Sequence, residues 1–178
     1  MRRLMLLRHA KSFRTPGVRD HERPLAARGK AAAEQMALHM RAEGLMPDAV
    51  IVSTALRTQE TWAAVKPFLT GENEPQVVSD FRVYEAQIDT LLSLISEAAP
   101  HFKTLLVIGH NPGMSELAVL SAEPMRSDRT ALATAILKFP AASLAVIDFK
   151  QEHWTLARRT GKFWRFVTPA MLGGQDED

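Results

Sequence analysis

Arginine and histidine side chains lie where three apolar segments of this chain end. Arg8 and His9 follow the first segment directly, Arg57 lies about one helical turn beyond the second, and His110 follows the third. A histidine can act as a nucleophile, and an arginine can hold a dianion with a planar fork of donors. If the fold brings them together, two imidazoles and two arginines form a cradle for a tetrahedral dianion.

The elements that must position these residues are predicted β-strands. The short apolar segments, around Leu4–Leu7, Ala49–Val52 and Thr104–Ile108, are typical of strands buried on both faces of a parallel sheet. Helical spacing of apolar residues predicts amphipathic helices between them, such as the stripe that includes Met36 and Met40. The carboxyl ends of parallel strands meet at one sheet edge, where open α/β sheets usually bind ligands. The arginines and histidines are therefore expected to lie close together.

The last third of the chain is predicted to add an antiparallel edge to the sheet. Ala135–Phe139 and Leu144–Phe149 are predicted as the strands of a hairpin, and Trp154–Ala157 as one more edge strand. Asn111 is predicted to cap a helix that has Pro112 at its first position. Together these elements predict a single α/β domain over residues 1–178, with three α/β/α layers and a mostly parallel central sheet.

Composition and charge exclude several classes of function. The 178 residues suffice for one domain with its own core, and a net charge of +2 gives no global field for nucleic acid. The absence of cysteine excludes disulfides, cysteine nucleophiles and thiolate metal sites, and it fits a reducing, cytoplasmic location. No stretch is long enough to span a bilayer, and Arg8 cuts the first apolar segment too short for an export signal. No carboxylate cluster accompanies the arginines, which disfavours a metal site, and no cofactor is expected.

The segments that carry these residues resemble motifs of the histidine phosphatase (phosphoglycerate mutase-like) superfamily, and most of all its SixA branch of phosphohistidine phosphatases. The matching motifs follow the family order over about residues 4–120: Leu7–Ser12, Arg23–Leu25 followed by Gly29, Ser53–Thr58 with Thr61, and Gly109–Pro112. The resemblance implies that His9 is phosphorylated during catalysis and that Arg8, Arg57 and His110 clamp the phosphoryl group. It also implies a substrate-binding role for Arg23.

The sequence departs from the mutase-type members of this superfamily between its second and third helices. Only the short stretch 76–86 lies there, so the long insertion that covers the site and supplies a general acid is not expected. Glu85 is the best candidate for that acid, and a solvated loop glutamate is the alternative. A phosphoramidate substrate needs the acid less, because its protonated imidazole departs as a neutral ring.

The leading hypothesis is a metal-independent phosphatase that removes phosphate from phosphohistidine in a partner protein, through a phosphohistidine enzyme intermediate, as in signal transduction. The alternatives are a phosphatase of small phosphomonoesters and a non-catalytic module that binds phosphorylated partners. The presence of His9 argues against the module, since a pure binder needs no nucleophile. Neither nucleic acid nor a membrane is expected as a partner.

Three other features favour structural explanations. His21 has no partner pattern and is predicted to lie on the surface. The stretch Arg158–Arg165 mixes basic and aromatic residues, which suits a solvated face better than docking of an acidic partner or nucleic acid. The acidic segment Gln175–Asp178 is predicted to be frayed.

Overall fold

A computed structural model describes residues 1–71 and 74–178. Within those residues the strands are β1 (Arg2–Arg8), β2 (Ala49–Ser53), β3 (Gln76–Asp80), β4 (Thr104–Gly109), β5 (Leu144–Phe149) and β6 (Lys162–Val167). The α-helices are α1 (Ala27–Ala42), α2 (Leu56–Leu69), α3 (Ile88–Ser96), α4 (Gly113–Ser121) and α5 (Arg129–Leu137). Short 3-10 turns cover Asp20–Glu22 and Phe81–Val83.

The strands form one sheet in the order β3-β2-β4-β1-β5-β6. The first four strands of this order pair in parallel, while β5 is antiparallel to β1 and β6 is antiparallel to β5. The predicted mostly parallel sheet with an antiparallel edge is therefore confirmed. Arg8 of β1 pairs with Gly109 of β4. Because His9 and His110 each follow one of these paired residues, the register sets them side by side where the two strands end.

Alternate residues of each strand face two separate cores. In β1, Met5 and Leu7 pack with α1 and α2 on one face of the sheet. Leu4 and Leu6 pack with α3, α4 and α5 on the other face. All four side chains are fully buried, which explains why the strand has an unbroken apolar sequence instead of alternation. The predicted three α/β/α layers are confirmed.

Helix α1 packs directly against the loop that follows β1. An added Cβ at Gly29 would lie 2.1 Å from the Lys11 carbonyl oxygen, so this position accepts no side chain. The Ala26 amide donates to the same carbonyl at 2.9 Å. The glycine that follows the Arg23–Leu25 motif therefore holds the loop beyond His9 against the helix.

Two strands predicted for the last third of the chain are wrong. Residues 135–137 belong to α5, because the Asp128 carboxylate caps that helix by accepting from the Ala131 amide, and residues of high helix propensity follow. The segment Trp154–Ala157 is a loop. Its side chains Trp154 and Leu156 are buried in the core that also contains α3, α4 and α5. The edge strand is β6 instead, which begins eight residues after Trp154.

The aromatic residues of the stretch Arg158–Arg165 serve the core and the outer face of β6. Phe163 is fully buried in the core that contains α3, α4 and α5. The Trp164 ring is flanked by the guanidinium groups of Arg3 and Arg165, at 5.0 and 4.7 Å from its centroid. This packing accounts for the mixture of basic and aromatic side chains without a ligand.

The connection between β3 and α3 is short. It consists of residues 81–87, which include the 3-10 turn Phe81–Val83, and it inserts no lid over the ends of the parallel strands. Among the described helices, none combines the length and the apolar character needed to cross a membrane.

Candidate active site

His9 is held with the hydrogen on one ring nitrogen and the lone pair of the other directed at Arg57. Its Nδ1 lies 2.8 Å from the carbonyl oxygen of Ala10. A carbonyl oxygen only accepts, so this contact requires the hydrogen on Nδ1 and leaves the lone pair on Nε2. The Nε group of Arg57 points at that lone pair and donates to His9 Nε2 at 3.3 Å. The sequence contains no indication of the Ala10 contact, because any residue type supplies a backbone carbonyl.

Burial keeps the His9 ring neutral. It lowers the pKa of His9 from 6.5 to about 3, and the charges of Arg57, Arg8 and Arg23 act in the same direction, while the hydrogen bond to Ala10 opposes them. A neutral imidazole with a defined tautomer is the form that can attack phosphorus. His9 is therefore neutral at neutral pH, in the form that nucleophilic attack requires.

Arg57 enters the site from the first turn of α2. Its side chain is only 4% exposed. Two of its nitrogens donate to Asp20, Nη1 to the backbone oxygen at 2.6 Å and Nη2 to the carboxylate at 2.9 Å. With Nε on His9, the guanidinium is fixed on two sides while one hydrogen on each Nη group stays free to bind an anion.

Arg8 and Arg23 complete the basic wall beside His9. Arg8 Nη1 donates to the carbonyl of Phe139 at 2.7 Å, in the loop between α5 and β5. Arg23 donates from Nε to the Asp20 carboxylate at 2.9 Å and from Nη1 to the Ser12 hydroxyl at 3.0 Å. Both arginines line the same cavity as His9, which has a volume of about 310 Å³.

His110 stands beside His9, with 5.1 Å between the ring centroids. Its Nε2 lies 2.8 Å from the hydroxyl of Ser53 at the end of β2. Burial lowers the pKa of His110 to about 2, and the neighbouring His9 and Arg57 add to that effect. Within residues 1–71 and 74–178, His110 Nδ1 and Arg8 Nε are buried without a hydrogen-bond partner. The Ser53 hydroxyl accepts from the Ala55 amide at 3.4 Å, so its own hydrogen can go to His110 Nε2, and Nδ1 then carries the ring hydrogen. In that tautomer His110 Nδ1 and Arg8 Nε are buried donors that a bound anion would satisfy.

Thr61 links the nucleophile loop to the helix that carries Arg57. The Thr61 hydroxyl accepts from the Ala10 amide at 3.0 Å and donates to the Arg57 carbonyl at 2.6 Å. Thr61 is fully buried. The position of His9 relative to Arg57 is thus set by a single threonine one helical turn from Arg57, which accounts for its place in the motif.

Sequence reasoning missed Asp20 and Tyr84. The Asp20 carboxylate accepts from Arg57, from Arg23 and from the Tyr84 hydroxyl, the last at 2.7 Å. Partial burial opposes ionisation, but hydrogen bonds from Tyr84 and Arg57 and the charges of both arginines lower the pKa of Asp20 to about 2. The Tyr84 ring also meets His110 edge-on, at 5.4 Å between centroids. The available signal was an acidic residue three positions before Arg23, which is faint in a loop with many charges.

Glu85 lies beside this group without entering it. It follows Tyr84 in a left-handed backbone conformation with φ of 50°. Its side chain is exposed, and among the described contacts it has no hydrogen bond or ion pair with His9, Arg57 or His110. The structure brings the other five predicted site residues together and leaves Glu85 at the rim, so its role as a general acid stays a prediction.

Two neighbouring residues differ from their predicted roles. His21 is half-buried, not a surface residue without partners: its Nε2 lies 2.9 Å from the Thr54 hydroxyl, and its ring meets the edge of Tyr84. Asn111 does not cap α4, since its Nδ2 donates to the carbonyl of Phe139 at 2.9 Å. That carbonyl also accepts from Arg8, so Asn111 and Arg8 are anchored to one point of the chain.

The acidic segment Gln175–Asp178 is ordered against the site, so the prediction that it is frayed is wrong. The Glu177 carboxylate lies 2.9 Å from Arg28 Nε and 3.4 Å from Lys11 Nζ. The Asp178 carboxylate lies 3.8 Å from Arg8 Nη1. Attraction to these basic groups holds the segment, and a local reading of its composition does not reveal partners that are distant in sequence.

The chain resembles known proteins over most of its length. No family model matches it. An uncharacterised protein of Mycobacterium tuberculosis is 36% identical over 148 residues, which cover 83% of this chain and 89% of that protein.

Solved structures resemble the chain over nearly its whole length. A protein from Agrobacterium tumefaciens, described as a candidate phosphohistidine phosphatase SixA, is 30% identical with a TM-score of 0.74, covering 94% of this chain and 99% of its own. One from Nakamurella multipartitia, described in the same way, is 28% identical with a TM-score of 0.79, covering 94% and 96%. A mycobacterial glucosyl-3-phosphoglycerate phosphatase shares the fold alone, at 14% identity and a TM-score of 0.61, covering 92% and 98%.

Proposed function

The chain belongs to the histidine phosphatase superfamily, in its SixA branch, and from this premise we propose that it removes the phosphoryl group from phosphohistidine in a partner protein. His9 is the nucleophile and carries the phosphoryl group in an intermediate. Arg8, Arg57 and His110 bind the phosphoryl oxygens, and Arg23 contributes to substrate binding.

One observation carries this proposal. The Nδ1 hydrogen of His9 is fixed on the Ala10 carbonyl, so the lone pair of Nε2 faces the Nε group of Arg57. A solvated surface histidine has neither a fixed tautomer nor a cation at its other ring nitrogen, whereas His9 has both. The combination suits a nucleophile whose product, a phosphoryl group on Nε2, is held by the same arginine.

In the first step, the lone pair of His9 Nε2 attacks phosphorus in line with the bond to the substrate imidazole. The P–N bond to the substrate breaks, and its electron pair goes to the departing ring nitrogen. A substrate ring that is protonated on its other nitrogen departs as neutral imidazole, so this step needs no protein acid. Negative charge on the equatorial oxygens is stabilised by the free hydrogens of Arg57 and by Arg8 and His110.

In the second step, water attacks the phosphoryl group on His9. The bond between phosphorus and Nε2 breaks, its electron pair returns to Nε2, and inorganic phosphate leaves with the proton that the water loses. The hydrogen stays on Nδ1 in both steps and is donated to the Ala10 carbonyl, so His9 returns to its starting tautomer.

An open site favours a protein-borne substrate. The connection over residues 81–87 is too short to add a large lid, although it places the Tyr84 ring against His110. A histidine on the surface of a folded partner can approach a site that has no large lid more readily than one that a lid encloses.

The proposal is tested by trapping the intermediate. The chain is mixed with ³²P-labelled phosphoramidate, quenched in alkaline detergent, and analysed for label and for its position by mass spectrometry. Label is expected on His9 in the wild type and in the control His101→Ala, which changes an exposed histidine, and not in His9→Ala. Circular dichroism checks that His9→Ala is folded, as expected for a residue at a strand end.

Turnover then separates the possible substrates. A phosphohistidine peptide is expected to be hydrolysed at a much higher kcat/KM than a sugar phosphate. The reverse order would indicate a phosphatase of small phosphomonoesters. Binding of phosphorylated peptide without label or turnover would indicate a non-catalytic module. Label that persists in His9→Ala would overturn the assignment of the nucleophile.

A further inference from the structure

A basic channel leads away from His9 and is formed by Lys11, Arg14 and Arg28. We propose that this channel docks an acidic segment of the partner protein, next to the phosphohistidine, in the place that the chain's own Glu177 and Asp178 occupy. The inference rests on the proposed function only in its account of why the partner comes to this face.

The channel is continuous with the site. The cavity of about 310 Å³ that contains His9 is also lined by Lys11, Arg14, Arg28 and Asp178. A second cavity of about 440 Å³ shares Lys11 and Arg28 with the first and extends to Glu177. A segment bound along both cavities therefore reaches the nucleophile at one end.

The chain itself shows what kind of segment fits. Glu177 lies with its carboxylate on Arg28 and Lys11, and its backbone oxygen accepts from the Ala141 amide at 2.7 Å. Lys11 Nζ also donates to the backbone oxygen of Asp178. A segment with two consecutive carboxylates thus meets complementary cations and a backbone donor.

The ion pairs that hold the chain's own segment are partly exposed and open to competition. The Asp178 side chain is 100% exposed although it lies near Arg8, and in the pair of Arg28 with Glu177 the arginine is 67% exposed and the glutamate 20%. Exposed ion pairs contribute little and are screened by salt. A partner that presents its own carboxylates while its phosphohistidine binds in the site can therefore replace Glu177 and Asp178.

An acidic protein segment fits these observations better than a nucleic acid. The groups that occupy the channel are carboxylates and a peptide carbonyl. The hydrogen bond from Ala141 is a backbone contact of the kind that a peptide strand accepts. A nucleic acid also needs surfaces on which bases stack, and Phe13 and the catalytic imidazole of His9 are the aromatic side chains among the described residues that line the two cavities.

Binding is measured first without any phosphate chemistry. The probe is a fluorescent, unphosphorylated peptide with four consecutive glutamates, titrated into the full chain at low salt. The double variant Glu177→Gln/Asp178→Asn is expected to bind it about threefold to tenfold more tightly than wild type, and Arg28→Glu about threefold to tenfold more weakly. The control Arg41→Glu reverses an exposed arginine at the other end of α1 and is expected to bind like wild type.

Specificity is measured second, as the ratio of kcat/KM for two phosphohistidine peptides that differ only in flanking glutamates or glutamines. The acidic peptide is expected to be preferred by wild type and by Arg41→Glu, and the preference is expected to disappear in Arg28→Glu. Three results would each overturn the proposal. The glutamate and glutamine peptides bind equally well, Arg28→Glu and Arg41→Glu have equal effects, or a single-stranded oligonucleotide binds in preference to the peptide. Because the binding experiment needs no turnover, failure of the proposed phosphatase activity leaves this result interpretable.

Discussion

The substitution Arg57→Lys separates geometry from charge at the centre of the site. All three nitrogens of Arg57 donate hydrogen bonds, Nε to His9 and both Nη groups to Asp20. Lysine keeps the positive charge but has one nitrogen to replace all three. If the site depends only on charge, the variant remains active; if it depends on a fork held in position, the variant is strongly impaired.

The size of the loss follows from the number of contacts that disappear. A lysine that keeps the ion pair with Asp20 has its other two hydrogens on the same nitrogen, which cannot reach both His9 and a phosphoryl oxygen from that position. Each hydrogen bond to a charged group is worth about 1.5–3 kcal/mol, and loss of a donor to a developing oxyanion costs about 2.7–4 kcal/mol. We therefore expect kcat/KM to fall by about two to three decades, since about 1.4 kcal/mol corresponds to one decade.

The assay compares kcat/KM for phosphoramidate and the inhibition constant of vanadate. Vanadate occupies the phosphoryl position, so its affinity is expected to fall together with the rate. The matched control is Arg82→Lys, because Arg82 also forms forked ion pairs, with Asp80 and Glu97, but among the described contacts it touches no site residue. A kcat/KM for Arg57→Lys within about twofold of wild type, with unchanged vanadate inhibition, would refute the reasoning and place Arg57 outside the transition-state contacts.

Four further outcomes are expected. Exhaustive EDTA treatment should leave the hydrolysis of phosphoramidate intact, because arginines neutralise the phosphoryl group; activity that is lost and returns only with added divalent metal would contradict this mechanism. Asp20→Asn should lower kcat/KM by about one to two decades, since it removes the carboxylate that orients Arg57, and it should leave the melting temperature nearly unchanged because this carboxylate is half-exposed. Glu85→Gln should lower the rate for a phosphomonoester by about two decades or more if Glu85 is the general acid, with little change for phosphoramidate; equal rates for both substrates would remove Glu85 from the mechanism. The free energy of unfolding in urea should fall by roughly 1–2 kcal/mol per buried histidine when the pH is lowered from 7 to 5. The folded pKa of His9 is about 3 and that of His110 is about 2, both below the ordinary 6.5. In this pH range the unfolded chain therefore binds protons that the folded chain does not. In His9→Ala this pH dependence should be smaller than in wild type; an equal slope would show that His9 titrates normally.

Local sequence determined the three parallel strands and the cluster at their ends. A strand that is buried on both faces needs an unbroken apolar run, so Leu4–Leu7 is recognisable without any knowledge of its neighbours. Polar residues can follow such a strand only where it reaches the sheet edge. Because parallel strands end at the same edge, His9 and His110 were expected to be close before any contact was known.

The last third of the chain shows where a local pattern is insufficient. The apolar run that includes Ala135 suits a strand or a helix, and the cap at Asp128 together with the packing of α5 against β6 favours the helix. The aromatic residues of β6 suggest an exposed surface in the sequence, but the sheet buries Phe163. In both cases a contact with another element adds information that the local pattern lacks.

Residue identity and spacing therefore determined which side chains meet, and the tertiary structure decided what each of them does there. The tautomer of His9 depends on a backbone carbonyl, and the orientation of Arg57 depends on Asp20 from a separate loop. The place of Glu177 depends on Lys11 and Arg28, which are far away in sequence. Hydrogen bonds and ion pairs of this kind depend on distances of a few ångströms between distant segments, and such distances exist only once the chain has folded.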